Sequence, residues 1–305
     1  MKHEIPIVIL GGADKPEQMK DIEKLHHQYH KETIIGYKIA ELELNGKCLA
    51  QNLAESLQAS ECFSEIYIAG PKKIYESKID KNLCTIINTD SHIGENLKNS
   101  LDYIVKKYGS KVQYALIFGD ILPDKGEIKK LMNELKPYQN ADVIYELVES
   151  PLTLGNSDYK PGYTFLDNNT PKKYLPGHLA LLRPENLRTE FASRLFNLLY
   201  AKRGKDIKEK LVYVLQNIPQ FIIHAEAVLE SIPYAVNGVY RFSQRRLSIM
   251  DFEHKAAHLF VKLPHRLKEN KKHVHIHTTD ILSFGMDIDT KEELEELKMK
   301  YQKTP

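Results

Sequence analysis

Five short apolar runs recur along the first half of the chain, with helical spacings between them. Residues 5–10 (IPIVIL) stop at Gly11-Gly12, and residues 65–69 (EIYIA) stop at Gly70-Pro71. Residues 83–87 (LCTII), 114–118 (YALIF) and 141–148 (ADVIYELV) complete the set, and the fourth stops at Gly119-Asp120. Residues 49–57, 96–105 and 124–135 have helical spacing. A strand that is apolar at nearly every position must be covered on both faces, so strands alternating with helices predict a mainly parallel sheet. The expected fold is α/β: a three-layer α/β/α sandwich with a Rossmann-like sheet. Such sheets bind ligands beyond the carboxyl ends of their strands, which is where the Gly-Gly and Gly-Asp pairs fall.

From about residue 150 the pattern changes. Residues 151–170 are rich in Gly, Pro, Asn and Asp and read as loop or irregular hairpin. Residues 183–218 read as one or two helices, with Pro184 suited to a first turn. Residues 221–265 mix helical pieces with breaks at Pro233 and Gly238, and HVHIH at 273–277 reads as a strand. Residues 290–301 form a helix in which Thr290 and Glu293 make a capping box. The expected organisation is a core of residues 1–182 and 266–305 carrying a mainly helical insertion at 183–265.

Charge narrows the partners. Lys and Arg number 43 against 41 Asp and Glu, a net charge of +2, so no global field points to nucleic acid or to a membrane surface. An anionic ligand must be held by local chemistry. Cys48, Cys62 and Cys84 are too few and too scattered for a disulfide framework, which suits reduced thiols in a cytoplasmic protein. The N-terminal MKHEIPIVILGG lacks a signal-peptide pattern, and no run approaches the ~20 apolar residues of a membrane span.

Three segments carry candidate chemistry. Gly11-Gly12-Ala13-Asp14-Lys15 can bring backbone N–H groups and a lysine to a triphosphate, although a Gly-Gly after a strand is more often only a turn. Asp120, at the end of a buried strand, can hold Mg²⁺ against phosphate oxygens; otherwise it is a solvated turn residue. Asp287 and Asp289 alternate on one side of an extended segment. Asp287 reads as chemical, whereas Asp289 and Thr290 read largely as caps of the following helix. His273, His275 and His277 share one face of a strand, but three ligands in a row give poor tetrahedral geometry, so an edge or surface face is expected.

Taken in order, these segments resemble nucleotidyltransferases of the glycosyltransferase-A-like fold. That group includes MobA-like molybdenum cofactor guanylyltransferases and sugar-1-phosphate nucleotidyltransferases. IVILGGADKP resembles the opening strand and signature loop, and LNGKCL followed by QNLAESLQAS resembles the family's L-x-G-K-P-L and helix. LIFGDILP resembles the strand delivering the first metal-binding aspartate, and MDIDTKEELEEL resembles the closing segment that delivers the second. The resemblance covers residues 4–150 and 272–300. It implies Asp120 and Asp287 as the Mg²⁺ pair, with Lys15, Lys38 and Asp120 as the catalytic groups. It implies Gly11, Gly12, Ala13, Gly94, Asn96 and Gly119 around the nucleotide. Gly177-His178 resembles an acceptor-side Gly-Asn element, with Lys173 and its neighbour Lys172 just upstream. Ala13-Asp14-Lys15 stands where the family has a further Gly and an Arg, Cys48 replaces a proline, and Lys38 lies eight residues before Gly46 where seven is usual.

The implied reaction is Mg²⁺-dependent transfer of a nucleoside monophosphate from an NTP to a phosphorylated acceptor such as a sugar phosphate or molybdopterin, releasing pyrophosphate. The insertion then covers the acceptor pocket or forms a homodimer interface. A glycosyltransferase on the same fold would want Asp-x-Asp where the chain reads Gly119-Asp120-Ile121-Leu122. A catalytically silent regulatory or assembly protein is the other alternative, favoured by the altered opening loop.

Overall fold

The computed structural model describes residues 5–13, 31–150, 162–167, 170–201, 246–262 and 271–302, with scattered positions at 20–28 and 213–266. The strands are β1 (Ile7–Leu10), β2 (Glu43–Leu44), β3 (Lys47–Cys48), β4 (Ile66–Gly70), β5 (Thr85–Asn88), β6 (Tyr114–Phe118), β7 (Val143–Glu149), β8 (Tyr163–Asp167), β9 (Thr170–Leu182) and β10 (Val274–Thr279). The α-helices are α1 (Lys38–Glu41), α2 (Leu49–Ser60), α3 (Lys72–Tyr75), α4 (Ile93–Tyr108), α5 (Lys125–Leu135), α6 (Thr189–Ala201), α7 (Ile249–Phe260) and α8 (Lys291–Gln302).

One sheet of eight strands runs β10-β7-β9-β6-β1-β4-β5, with β8 paired to β9. The pairs β1–β4, β1–β6, β4–β5 and β7–β10 are parallel. Strand β9 runs antiparallel to β6, β7 and β8. Alternation along each strand divides the core. Ile7 and Ile9, with Ile66, Ile68, Ala115 and Ile117, meet α2 and α5 through Leu53, Leu57, Ile128 and Leu131. Val8, Tyr67, Ala69 and Leu116 point the other way and meet Leu101 and Ile104 of α4. This is the three-layer arrangement read from the sequence.

The second half holds the departures. Strand β9 is long, and it includes Pro171, Pro176 and Gly177, residues that signal breaks. Pro176 sits opposite Leu147, where the β7–β9 register shifts between Tyr145 and Leu147, so its missing N–H falls at a bulge. The first α-helix described after β9 starts at Thr189 rather than at Pro184, which opens a 3₁₀ turn. Helix α7 packs on the far end of the sheet, where Ala256 meets Leu147, Val274 and Ile276. Its Glu253 accepts a hydrogen bond from Ile276 N (2.8 Å), covering the exposed edge of β10.

The histidine run lies at that edge, as expected, but His273 and His275 are buried. Each ring meets a carboxylate: His273 with Asp142, His275 with Glu253 and His277 with Glu134. Tyr138 stacks on His275 at 3.5 Å.

Candidate active site

The ends of β1 and β6 set the site. They are neighbours in register, Leu10 opposite Phe118, so their following turns Gly11-Gly12-Ala13 and Gly119-Asp120 emerge side by side. Gly119 donates its N–H to Leu10 O (3.2 Å), and a Cβ there would lie 2.2 Å from Ile39 Cδ1. That close approach lets α1 lie across the strand ends and aim Lys38 at Asp120.

The C-terminal segment reaches the same place through a short antiparallel splice. Ile34 N donates to Asp289 O (2.9 Å), Lys291 N donates to Glu32 O (3.0 Å), and Thr33 bridges Thr290. Ile288 N donates to Asp120 O (2.9 Å). The splice thus carries Asp287 and Asp289 to Asp120, and four residues beyond Ile34 the chain delivers Lys38.

Carboxylate oxygens of Asp120, Asp287 and Asp289 lie within 4.8 Å of one another. At an effective dielectric near 20, two such charges repel by roughly 3 kcal/mol, so the group calls for a cation. Lys38 supplies one: its ammonium lies 3.1 Å from Asp120 Oδ2 and 2.6 Å from Asp289 Oδ1. Asp120 Oδ1 is buried with no hydrogen-bond partner. An orphaned oxygen beside two more carboxylates fits a hard divalent ion such as Mg²⁺.

Asp289 joins the helix cap through its main chain, its N–H donating to Glu293 Oε2 (2.9 Å). Thr290 Oγ1 accepts from Glu293 N (3.3 Å) and Glu293 Oε2 accepts from Thr290 N (3.1 Å). Those two residues complete the box, and the Asp289 carboxylate faces Lys38 instead. The alternate spacing of Asp287 and Asp289 carried this signal; the adjacent cap obscured it.

A cleft open to solvent lies against this group. Gly12, Ala13, Lys38, Asp120 and Asn96 line it, joined by Ser91, His92 and Tyr200, which sequence reasoning missed. Asn96 reaches the cleft from α4 while its Oδ1 accepts from Thr89 Oγ1 (2.8 Å) and Ser91 N (3.0 Å). It therefore holds the 89–91 turn in shape. Tyr37 donates to Asp90 Oδ1 (2.8 Å); burial and that carboxylate push its hydroxyl up to about 12. Tyr200 comes from α6, and nothing in its sequence context marked it.

Other expected contacts point elsewhere. Gly11 gives its N–H to Ala69 O (2.8 Å), and its carbonyl accepts from the Tyr75 hydroxyl (2.7 Å). Gly94 gives its N–H to Asn197 Oδ1 (2.7 Å), and its carbonyl accepts from Ser193 Oγ (2.7 Å). A Cβ at Gly94 would lie 2.0 Å from Ser193 O, so this glycine lets α6 pack on α4. Gly177 makes room for Glu146, whose Cδ would be 2.5 Å from a Cβ there. Burial pushes Glu146 up to about 8, opposed by backbone N–H donors including Leu179. Lys173 sits on β9 five residues before His178, about 16 Å away along an extended strand. Lys172, beside it, pairs with Asp167 at 2.7 Å and Glu149 at 3.6 Å. His178 does reach the carboxylates: its Nε2 lies 4.0 Å from Asp287 Oδ2. Lys15 falls outside the described residues.

The chain superimposes on a hypothetical transferase structure from Thermus thermophilus with a TM-score of 0.58 and 16% identity, covering 95% of this chain and 99% of that one. It superimposes on CMP:2-keto-3-deoxy-manno-octonic acid synthetase complexed with CTP with a TM-score of 0.51 and 10% identity, covering 99% of this chain and 100% of that one. At these identities the likeness is one of fold. No family model matches the chain. By sequence, an uncharacterized metallophosphoesterase of Helicobacter pylori (strain ATCC 700392 / 26695) is 36% identical over 100 residues. That match covers 31% of this chain and 26% of the relative, so the chain spans about a quarter of its length. No helix among the described residues is long and apolar enough to cross a membrane.

Proposed function

We propose that this chain is a divalent-metal-dependent nucleotidyltransferase that moves a nucleoside monophosphate from an NTP to a phosphorylated small acceptor, a sugar phosphate or a molybdopterin-like compound. The observation that carries this reading is the convergence of Asp120, Asp287, Asp289 and Lys38 at a cleft lined by the Gly12-Ala13 turn. Its three buried free cysteines suit a reducing cytoplasm.

The acceptor phosphate oxygen attacks the α-phosphorus of the NTP, the new P–O bond forms, and the α–β bridging P–O bond breaks to release pyrophosphate. The acceptor oxygen is already anionic, so the protein's work is positioning and charge neutralisation. Asp120, Asp287 and Asp289 would hold Mg²⁺, which neutralises charge on α- and leaving-phosphate oxygens when bound. Lys38 balances the carboxylates and offers its ammonium to the triphosphate; Lys15 adds a second charge from the opening loop. Gly12 and Ala13 keep side-chain bulk away from the phosphates, whereas Gly11 and Gly119, with their N–H groups spent on β-ladder bonds, shape the floor.

The test is a screen of the four NTPs with Mg²⁺ against sugar phosphates and molybdopterin, read as pyrophosphate release. Acceptor-dependent pyrophosphate release supports the proposal. Release of inorganic phosphate alone points instead to a phosphoesterase, and no turnover with any pair points to the silent scaffold.

A further inference from the structure

We infer that Lys38 holds the divalent-ion seat in the free protein and competes with the ion for it, so that the ammonium leaves the carboxylates for the cleft as the ion arrives. This rests on the nucleotidyltransferase reading of the carboxylate group and adds a linkage to it: one ion is exchanged for one ammonium.

The two cations draw on the same carboxylates. Lys38 Nζ lies 2.6 Å from Asp289 Oδ1 and 3.1 Å from Asp120 Oδ2. Asp120 and Asp289 are also two of the three residues whose carboxylate oxygens lie within 4.8 Å of one another. A hard divalent ion takes several oxygens at once, and two of these carboxylates are turned to the ammonium. Sharing is costly as well. The Lys38 side chain is buried and the two carboxylates are only about one-fifth exposed, so little water screens one positive charge from the other.

The orphaned oxygen fits the same exchange. One ammonium reaches one oxygen of each carboxylate, and Asp120 Oδ1 is left buried without a hydrogen-bond partner. A cation with more coordination positions satisfies the group better than Lys38 does.

The displaced ammonium has a second place within reach. Lys38 also lines the cleft, together with Gly12 and Ala13. Its four-carbon stem can turn the charge from one anion to another while the backbone stays in place. Leu42 N donates to Lys38 O (2.8 Å), and Ile39 packs against Gly119, so α1 itself is held. An ammonium parted from its carboxylates needs another anion, and a triphosphate in the cleft supplies one.

The test uses Mn²⁺ alone as the probe, on the full chain, with binding followed by electron paramagnetic resonance. Lys38→Met removes the competitor. It should bind Mn²⁺ about tenfold tighter than the wild type, although a residue has been taken out of the site. Lys38→Arg keeps a cation there and should bind Mn²⁺ no tighter than the wild type. A second measurement needs no variant: acetylation of the wild type by acetic anhydride, read at Lys38 by mass spectrometry. Lys38 should label at least about fivefold faster with Mn²⁺ than with a chelator, relative to the other lysines. Labelling decides alone if Lys38→Met does not fold. Mn²⁺ affinity that is unchanged or weaker in Lys38→Met, or Lys38 labelling indifferent to Mn²⁺, would overturn the inference and leave the carboxylate site standing, since the wild type still binds the ion. Failure of wild type and Lys38→Met alike to bind Mn²⁺ ends the reading of the carboxylates, and the inference with it.

Discussion

Lys38 is the residue on which the candidate site turns. Its side chain is buried, and its ammonium balances two carboxylates that are about one-fifth exposed. In Lys38→Met the like charges of Asp120 and Asp289 lose that balance. The metal-free variant should lose about 1–2 kcal/mol of stability, less than for a fully buried pair because water screens the oxygens. Added Mg²⁺ then replaces the missing charge, so it should raise the Tm of Lys38→Met more than that of the wild type. Equal metal-free stabilities would show that Lys38 is not the counter-ion. The residue type was legible in the sequence as a lysine at nearly the family spacing. Its bridging position depends on Gly119 admitting Ile39, a packing fact that no spacing rule contains.

Among elements, the packing of α6 on α4 turns on Gly94. Gly94 gives both its backbone polar groups to α6. Gly94→Ala places a methyl 2.0 Å from Ser193 O, a backbone atom that cannot swing aside. The expected cost is about 1–3 kcal/mol, measured by urea unfolding. A variant that lost NTP affinity with unchanged stability would instead make Gly94 a nucleotide contact. The central strands were legible because each is apolar at almost every position and ends at a glycine. β9 was not, because Pro171, Pro176 and Gly177 punctuate it. The β7–β9 bulge absorbs Pro176, and the buried Glu146 fills the space left by Gly177. Such compensation is tertiary and leaves no local trace.

At the scale of the whole molecule, Asp142 ties three distant stretches together. It accepts from Lys271, from His273 (2.6 Å) and from Asn186 (2.6 Å), joining the start of β7, the approach to β10 and the 3₁₀ turn after β9. Burial opposes its charge, but these donors hold its carboxyl below the usual range. A depressed folded-state pKa adds stability that is fully present above the unfolded value near ~3.9 and is lost as pH falls through the folded value. Asp142→Asn should therefore cost about 3 kcal/mol at pH 7. The gap to the wild type should narrow on acidification from about pH 5 to below pH 3, as followed by urea unfolding; a constant gap would remove the charge from the account. The same long-range closure brings Asp287 and Asp289 to Asp120. Calorimetric titration of NTP into the protein, with Mg²⁺ and again with a chelator, tests it most directly. Binding should need the metal and should fall by about two orders of magnitude or more in Asp120→Asn and Asp287→Asn. Tight binding that ignores both the chelator and the substitutions would contradict it.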